Sequence, residues 1–220
     1  MTSETVDGPM QADGALMKDR EDALMAEPMP RLETLEEVLE HLWAYAERGA
    51  HRRDNAMATP IFVTTRQDGA PGARTVILRD VEPGRALLCH TDHRSGKVQD
   101  VQAEPRTIWV CYDRDLHQQF QFIGRTTIHS DDALADRMWA EESPDELVFY
   151  YKKPRPSEHA DSPSSAQDFE EVSEAEARAN FAVVRTEIDA ILWQHVHPEG
   201  EYRAGFKRQG DGFVGEWLVP

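Results

Sequence analysis

From Thr34 onward the apolar positions fall at helical spacing: Leu35, Val38, Leu39, Leu42, Trp43 and Tyr45 recur in steps of three and four. Thr34 is placed to cap the start of that helix, and Gly49 is expected to end it. The period then changes. Short runs rich in β-branched and aromatic residues predict strands over residues 60–65, 74–80 and 85–91, with turn-forming residues at 67–72 and 82–84 between them. Together they read as an antiparallel meander.

Residues 95–102 return to helical spacing and stop before Pro105, after which residues 107–112 and 118–129 resume strand character. Asp131 or Asp132 is positioned to cap a short helix reaching Glu142. Residues 150–169 are rich in proline, serine and charge, and a long loop between ordered regions is more often functional than idle. A helical turn or two near 173–180 leads into strand-like runs at 181–195, 202–208 and 213–219, the last two joined by Gln209, Gly210, Asp211 and Gly212. Six or seven strands with a few peripheral helices predict a mainly β protein, a closed or half-closed barrel. Residues 1–30 hold five of the seven methionines with little periodicity and read as a loosely ordered leader, leaving 31–220 as one domain.

Charge narrows the possible partners. The 220 residues include 24 basic and 41 acidic side chains, a formal charge of −17. Such a surface repels phosphate polymers and anionic lipid, so neither nucleic acid nor membrane is expected as a partner. No window approaches the roughly 18 consecutive apolar residues of a spanning helix, and the first 30 residues lack a basic start followed by an apolar core. A cytoplasmic protein is expected. Cys89 and Cys111 lie inside apolar runs without a CxxC spacing and read as buried, reduced thiols.

Against this acidic background the cations between 74 and 97 stand out. Arg74 and Arg79 bracket Thr75, Val76, Ile77 and Leu78, and Arg94, Ser95, Gly96 and Lys97 open a helix after a strand. Guanidinium groups, a serine hydroxyl and the free amides of a helix start are all suited to phosphate. Taken singly, each cation is as well explained as a solvated surface charge. Positions 74 and 79 differ by an odd number, so a bulge or a strand end must lie between them if both are to face one ligand. Neither GxGxxG nor GxxxxGK[ST] occurs, which favours a mononucleotide phosphate held by side chains over a dinucleotide cradled by a glycine-rich loop. His195 and His197 share a strand face and His90 lies near His93, but no third ligand at suitable spacing accompanies either pair, so no metal is expected.

The order of these residues resembles the pyridoxamine 5'-phosphate oxidase-like flavoproteins from about residue 60 to 220. Arg74-Thr75-Val76-Ile77-Leu78-Arg79 is similar to the family's Arg-x-Val-Leu-Leu-Lys strand, whose end residues contact the FMN phosphate. His90-Thr91 followed by Ser95-Gly96-Lys97 resembles the family's Tyr-Thr pair and Ser-Arg-Lys helix start, with Arg94 placed to supply the guanidinium that Gly96 lacks. Gln119, five residues before Gly124, resembles the glutamine that bonds the flavin ring edge. Trp193-Gln194 and Arg203 are similar to a Trp-Gln pair and an arginine that line the flavin. The resemblance implies an FMN-binding split β-barrel, antiparallel and of Greek-key type, that forms a homodimer with FMN at its interface. A cation such as Arg203 near the pyrimidine edge would stabilise the charge that reduction places there.

The pattern also breaks. Glu199-Gly200-Glu201 stands where the oxidases carry the Arg-x-His that grips the substrate phosphate, and Trp139 and Ser143 stand near the family's Tyr and Arg for the same group. The resemblance therefore implies an FMN-dependent oxidoreductase acting on another small substrate, cationic or neutral. A flavin-binding or sensor protein without turnover is the alternative, as is a split barrel holding a deazaflavin or haem.

Overall fold

A capping box opens the first helix. The amide of Glu37 donates to Thr34 Oγ1 (3.2 Å) and the amide of Thr34 to Glu37 Oε2 (3.0 Å). In the computed structural model, which describes residues 31–167 and 169–220, this helix α1 runs Leu35–Arg52 and buries Val38, Leu42, Trp43, Tyr45 and Ala46 against the sheet. It does not stop at Gly49. A Cβ there would lie 2.7 Å from Met57 Cβ, so the glycine serves the close approach of the turn at Ala56–Ala58, and the left-handed end of the helix falls on Arg53. The leader expected over residues 1–30 lies outside the described residues.

Among the described residues nine strands form one antiparallel sheet: β1 Ile61–Thr65, β2 Pro71–Thr75, β3 Leu78–Glu82, β4 Ala86–Asp92, β5 Arg106–Asp113, β6 Gln118–His129, β7 Phe181–His197, β8 Gly200–Gln209 and β9 Gly212–Leu218. Seven of them follow the order β2-β1-β5-β6-β7-β4-β3, and the β8–β9 hairpin branches from the second half of β7. The two ends of that path, β2 and β3, are joined by Val76 and Ile77 alone. Two residues cannot span an open sheet of seven strands, which at about 4.8 Å per strand would part its edges by nearly 30 Å, so the sheet must curl on itself. The result is the split barrel that the resemblance implied.

This closure changes two expectations. Residues 74–80 are not one strand, and β1–β2 and β3–β4 are hairpins at opposite ends of the path rather than parts of a meander. The chain breaks between Thr75 and Leu78, and the β3–β4 register shifts again between Leu78 and Asp80. The first interruption falls between Arg74 and Arg79, as their odd spacing required for a shared ligand, and the second at Arg79 itself.

Helices α2 Gly96–Ala103, α3 Ala133–Glu141, α4 Pro144–Leu147 and α5 Glu174–Asn180 lie at the periphery. Asp132 caps α3 through the amides of Leu134 and Ala135. No helix among the described residues is long and apolar enough to cross a membrane.

The barrel interior is filled by Phe62, Trp109, Phe120, Phe122, Ile191 and Trp193. A relay of buried hydroxyls crosses it: Trp109 Nε1 donates to Thr186 Oγ1 (2.9 Å), which also meets Thr126 Oγ1 (2.7 Å), itself 2.7 Å from Thr107 Oγ1. Replacing Thr186 with valine keeps the shape but strands the indole N–H without water, so stability should fall by about 1–3 kcal/mol in urea unfolding, with no change in bound ligand.

Candidate functional site

The end of β2, the start of β3, the end of β4 and the N-terminus of α2 converge on a cavity of about 600 Å³. That volume lies in the range of about 300–1,000 Å³ usual for small-molecule sites. Arg74, Thr75, Val76, Ile77, Arg79, His90, Thr91 and Lys97 line it. Leu78 lies beneath, fully buried in the core. Ser95 and Gly96 line an adjoining cavity of about 610 Å³ that shares Arg74 and Lys97 with the first. These two cations thus stand at the junction of both spaces.

Around Lys97 the groups are arranged for an anion. Its Nζ donates to Thr91 Oγ1 (2.8 Å) and Ser95 Oγ (3.3 Å), and no carboxylate among the described residues lies within ion-pair distance of it. Burial, reinforced by the charge of Arg74, holds the ammonium below its usual pKa range. Ser95 is the N-cap of α2, yet its hydroxyl makes no capping bond to the helix and instead faces Thr91 Oγ1 at 3.2 Å. The first amides of α2 are therefore left without a side-chain acceptor, and a Cβ added at Gly96 would touch nothing within 4 Å. Arg74 Nη1 is fixed by Thr64 Oγ1 (2.8 Å) and by the carbonyls of Gly72 (3.1 Å) and Phe62 (3.3 Å), while Asp100 Oδ2 stands 3.5 Å from Nη2. A half-buried ammonium, a pinned guanidinium, two hydroxyls and a bare helix start form a donor set that fits a phosphate group.

The other end of the cavity is differently charged. The Arg79 side chain is 9% exposed, and it is held by Glu146 Oε2 (2.6 Å) and Glu142 Oε2 (3.3 Å). Its Nε has no partner among the described residues. Arg53, on the outside, meets the second oxygen of Glu146 at 3.4 Å. His90 Nδ1 lies 3.0 Å from Glu142 Oε2 but is not aligned for a hydrogen bond, and burial, with the charge of Arg79, pushes its pKa down to about 3. His90 is therefore neutral at pH 7. His195, buried near His197, is likewise pushed down to about 4.

A depressed histidine pKa means that the unfolded chain binds the proton more tightly. Stability should therefore be full above pH 6.5 and fall as the pH drops toward 3, by up to about 1.4 kcal/mol per pH unit for each such histidine. Urea midpoints measured between pH 7 and 4 should show a shallower acid slope in His90→Gln.

Arg94 turns away from the phosphate-like end. It chelates Asp92 (3.0 and 2.7 Å) and donates to the carbonyls of Lys152 and Lys153 (3.0 Å each), pinning the base of the loop beyond them. That loop, within the proline-rich stretch at 150–169, lines the cavity with Pro154, Pro156 and Phe169, and Phe149 just before it adds to the same wall. Glu146 and these loop side chains are site residues that the sequence did not single out. Their only signal was a few large apolar residues inside a polar segment.

Gln119, Trp193 and Arg203 are elsewhere. Pairing places Tyr112, Gln119, Gln194, Arg203 and Leu218 in one row across β5, β6, β7, β8 and β9, on the outer face of the sheet. Trp193 points the other way: it is 1% exposed, with its Nε1 donating to Gln118 Oε1 (3.1 Å) in the core. Gln194 is the outward member of the pair and donates to Glu201. Glu199 and Glu201 are exposed at the β7–β8 turn. Around this row the outer face carries Ile108, Val110, Ile123 and Leu192, only partly covered within one chain. Cys89 and Cys111 are both buried and free, with thiols pushed up to about 12.

Residues 36–130 match the family model for pyridoxamine 5'-phosphate oxidase, FMN-binding domain. A pyridoxine/pyridoxamine 5'-phosphate oxidase of a Jannaschia species is 32% identical over 111 residues, 48% of this chain and 52% of that one. The Paracoccus denitrificans enzyme of the same description is 33% identical over 44% of each chain. The chain thus spans about half the length of the curated relatives it matches. Among solved structures, an FMN-binding protein related to pyridoxamine 5'-phosphate oxidase, from Nostoc punctiforme, superposes with a TM-score of 0.66 at 19% identity, over 87% of this chain and all of that one. A Burkholderia lata protein solved with tetrahydrophenazine-1-carboxylic acid superposes with a TM-score of 0.64 at 18% identity, over 83% and 91%. At these identities the two structures bear on the fold alone.

Proposed function

We propose that this chain, whose residues 36–130 match the family model for the FMN-binding domain of pyridoxamine 5'-phosphate oxidase, binds FMN and uses it as an oxidoreductase on a small substrate. The observation that carries this reading is the Lys97 end of the cavity, where ammonium, guanidinium, hydroxyls and helix amides converge with no carboxylate on the ammonium. Lys97, Arg74, Thr91 and Ser95 hold the phosphate, and Val76 and Ile77 line the wall beside it. Bound flavin supplies two-electron chemistry, taking a hydride from one molecule and passing electrons to another. Phe149 and Phe169 line that space beside the phosphate end.

Gln119 and Arg203 complete the site from a second copy. Within one chain they do not line the cavity, and the partly covered apolar face around them is the kind of surface a two-fold partner buries. The homodimer belongs to this proposal, as does a cytoplasmic setting. Oxidation of a phosphorylated pyridoxine does not, since Glu199 and Glu201 replace the cations expected there.

Titrating FMN into the purified protein should quench flavin fluorescence at one FMN per chain. Anaerobic mixing of the loaded protein with NAD(P)H or a panel of amines should then bleach the flavin. Saturable uptake with no bleaching by any reductant favours the reading as a flavin binder without turnover, and no uptake refutes both.

A further inference from the structure

The two ends of the cavity differ in charge, and if FMN occupies the Lys97 end as proposed, that difference bears on which second ligand the other end admits. Lys97 has only hydroxyls for partners, whereas Arg79 is matched by two carboxylates, one of them at 2.6 Å. Glu146, which lines the cavity, and Glu142, which pairs with Arg79 beside it, together outweigh Arg79 by one charge. The cation that restores the balance, Arg53, is 49% exposed and bonds the outer oxygen of Glu146. His90, beside them, is neutral, and Tyr150 and Phe149 supply apolar wall. A phosphate arriving here must either displace Glu146 from Arg79 or stand against both carboxylates. In a half-buried site each alternative is strongly unfavourable.

We infer that Glu142 and Glu146 set the ligand specificity of this end of the cavity: by satisfying Arg79 they bar phosphorylated and carboxylated molecules and leave the space to a substrate whose entering end is uncharged or cationic. Arg79 is then a positioning residue that fixes Glu142, at the end of α3, and Glu146, in α4, and the cavity takes a single phosphate, at Lys97. Neither a core role nor a solvated surface explains a side chain so buried that lines a cavity and carries two acidic partners.

The test uses the full chain incubated with FMN, and inorganic phosphate as the probe, followed by phosphorus NMR and calorimetry. Wild type should show no phosphate site that depends on Arg79. Glu142→Gln/Glu146→Gln should bind phosphate at least about tenfold more tightly, and adding Arg79→Gln should abolish the gain. Should the double variant lose its cooperative melting transition, Glu146→Gln alone is titrated, with a smaller gain expected. Equal phosphate affinity in wild type and carboxamide variants overturns the inference, as does a gain that survives removal of Arg79. Because only the Arg79-dependent increment is scored, a chain that takes up no FMN defeats the flavin reading while leaving this result interpretable.

Discussion

Arg74→Ala/Lys97→Ala should bind FMN about 100- to 10,000-fold more weakly than wild type. Hydrogen bonds to charged groups contribute about 1.5–3 kcal/mol each, so losing both cations removes about 3–6 kcal/mol of affinity. The effect on folding should be much smaller. Lys97 gives up two bonds to hydroxyls that still face each other, and Arg74 gives up bonds to Thr64 and two carbonyls and a long 3.5 Å contact to Asp100, whose carboxylate still accepts from Thr64 Oγ1 (2.8 Å). Fluorescence titration measures the first quantity and thermal unfolding without ligand the second. Arg79→Ala should behave in the opposite sense: it leaves Glu142 and Glu146 without their shared partner, so stability suffers more than flavin affinity. Equal flavin affinity in the Arg74/Lys97 variant and wild type would remove the phosphate assignment.

Gly124→Ala should be the most destabilising small substitution in the sheet. A Cβ at that position would lie 1.9 Å from the carbonyl oxygen of Glu187 and 2.8 Å from its carbon. Both atoms belong to the main chain of β7, which cannot step aside as a flexible side chain does. The crowding occurs where the β6–β7 register shifts, between Ile123 and Gly124. β7 is also the hub of the barrel, pairing with β4, β6 and β8. A loss of more than about 3 kcal/mol is expected, equivalent to a fall of about 6–12 °C in melting temperature for a domain of this size. Gly96→Ala is the matched control, since a Cβ there meets nothing within 4 Å, and it should melt as wild type does. A Gly124→Ala protein that also melts as wild type would contradict the register shift itself.

Local signals in this chain were legible because each has a short-range cause. The Thr34 cap, the Asp132 cap and the limits of β6 depend on residues within a few positions of one another. The break at Val76 and Ile77 was hidden: the segment contains no turn-forming residue, and the strand ends there because the barrel closes, a property of the whole sheet. The clustering of Arg74 and Lys97 could be anticipated from their spacing along the chain. The partners of Arg79 could not, since Glu146 lies 67 residues on, in α4, which the pattern of apolar positions did not mark as an element. Trp193 shows the limit of matching motifs by position. Strand parity places its indole in the core and Gln194 outside, and only the pairing register reveals which neighbour faces outward.

The most direct test is a crystal structure of the protein grown with FMN. It should place the phosphate within hydrogen-bond distance of Arg74 and Lys97 at the start of α2, with Arg203 of a second copy beside the ring. A phosphate bound elsewhere, or these two cations still occupied by protein groups alone, would contradict the account.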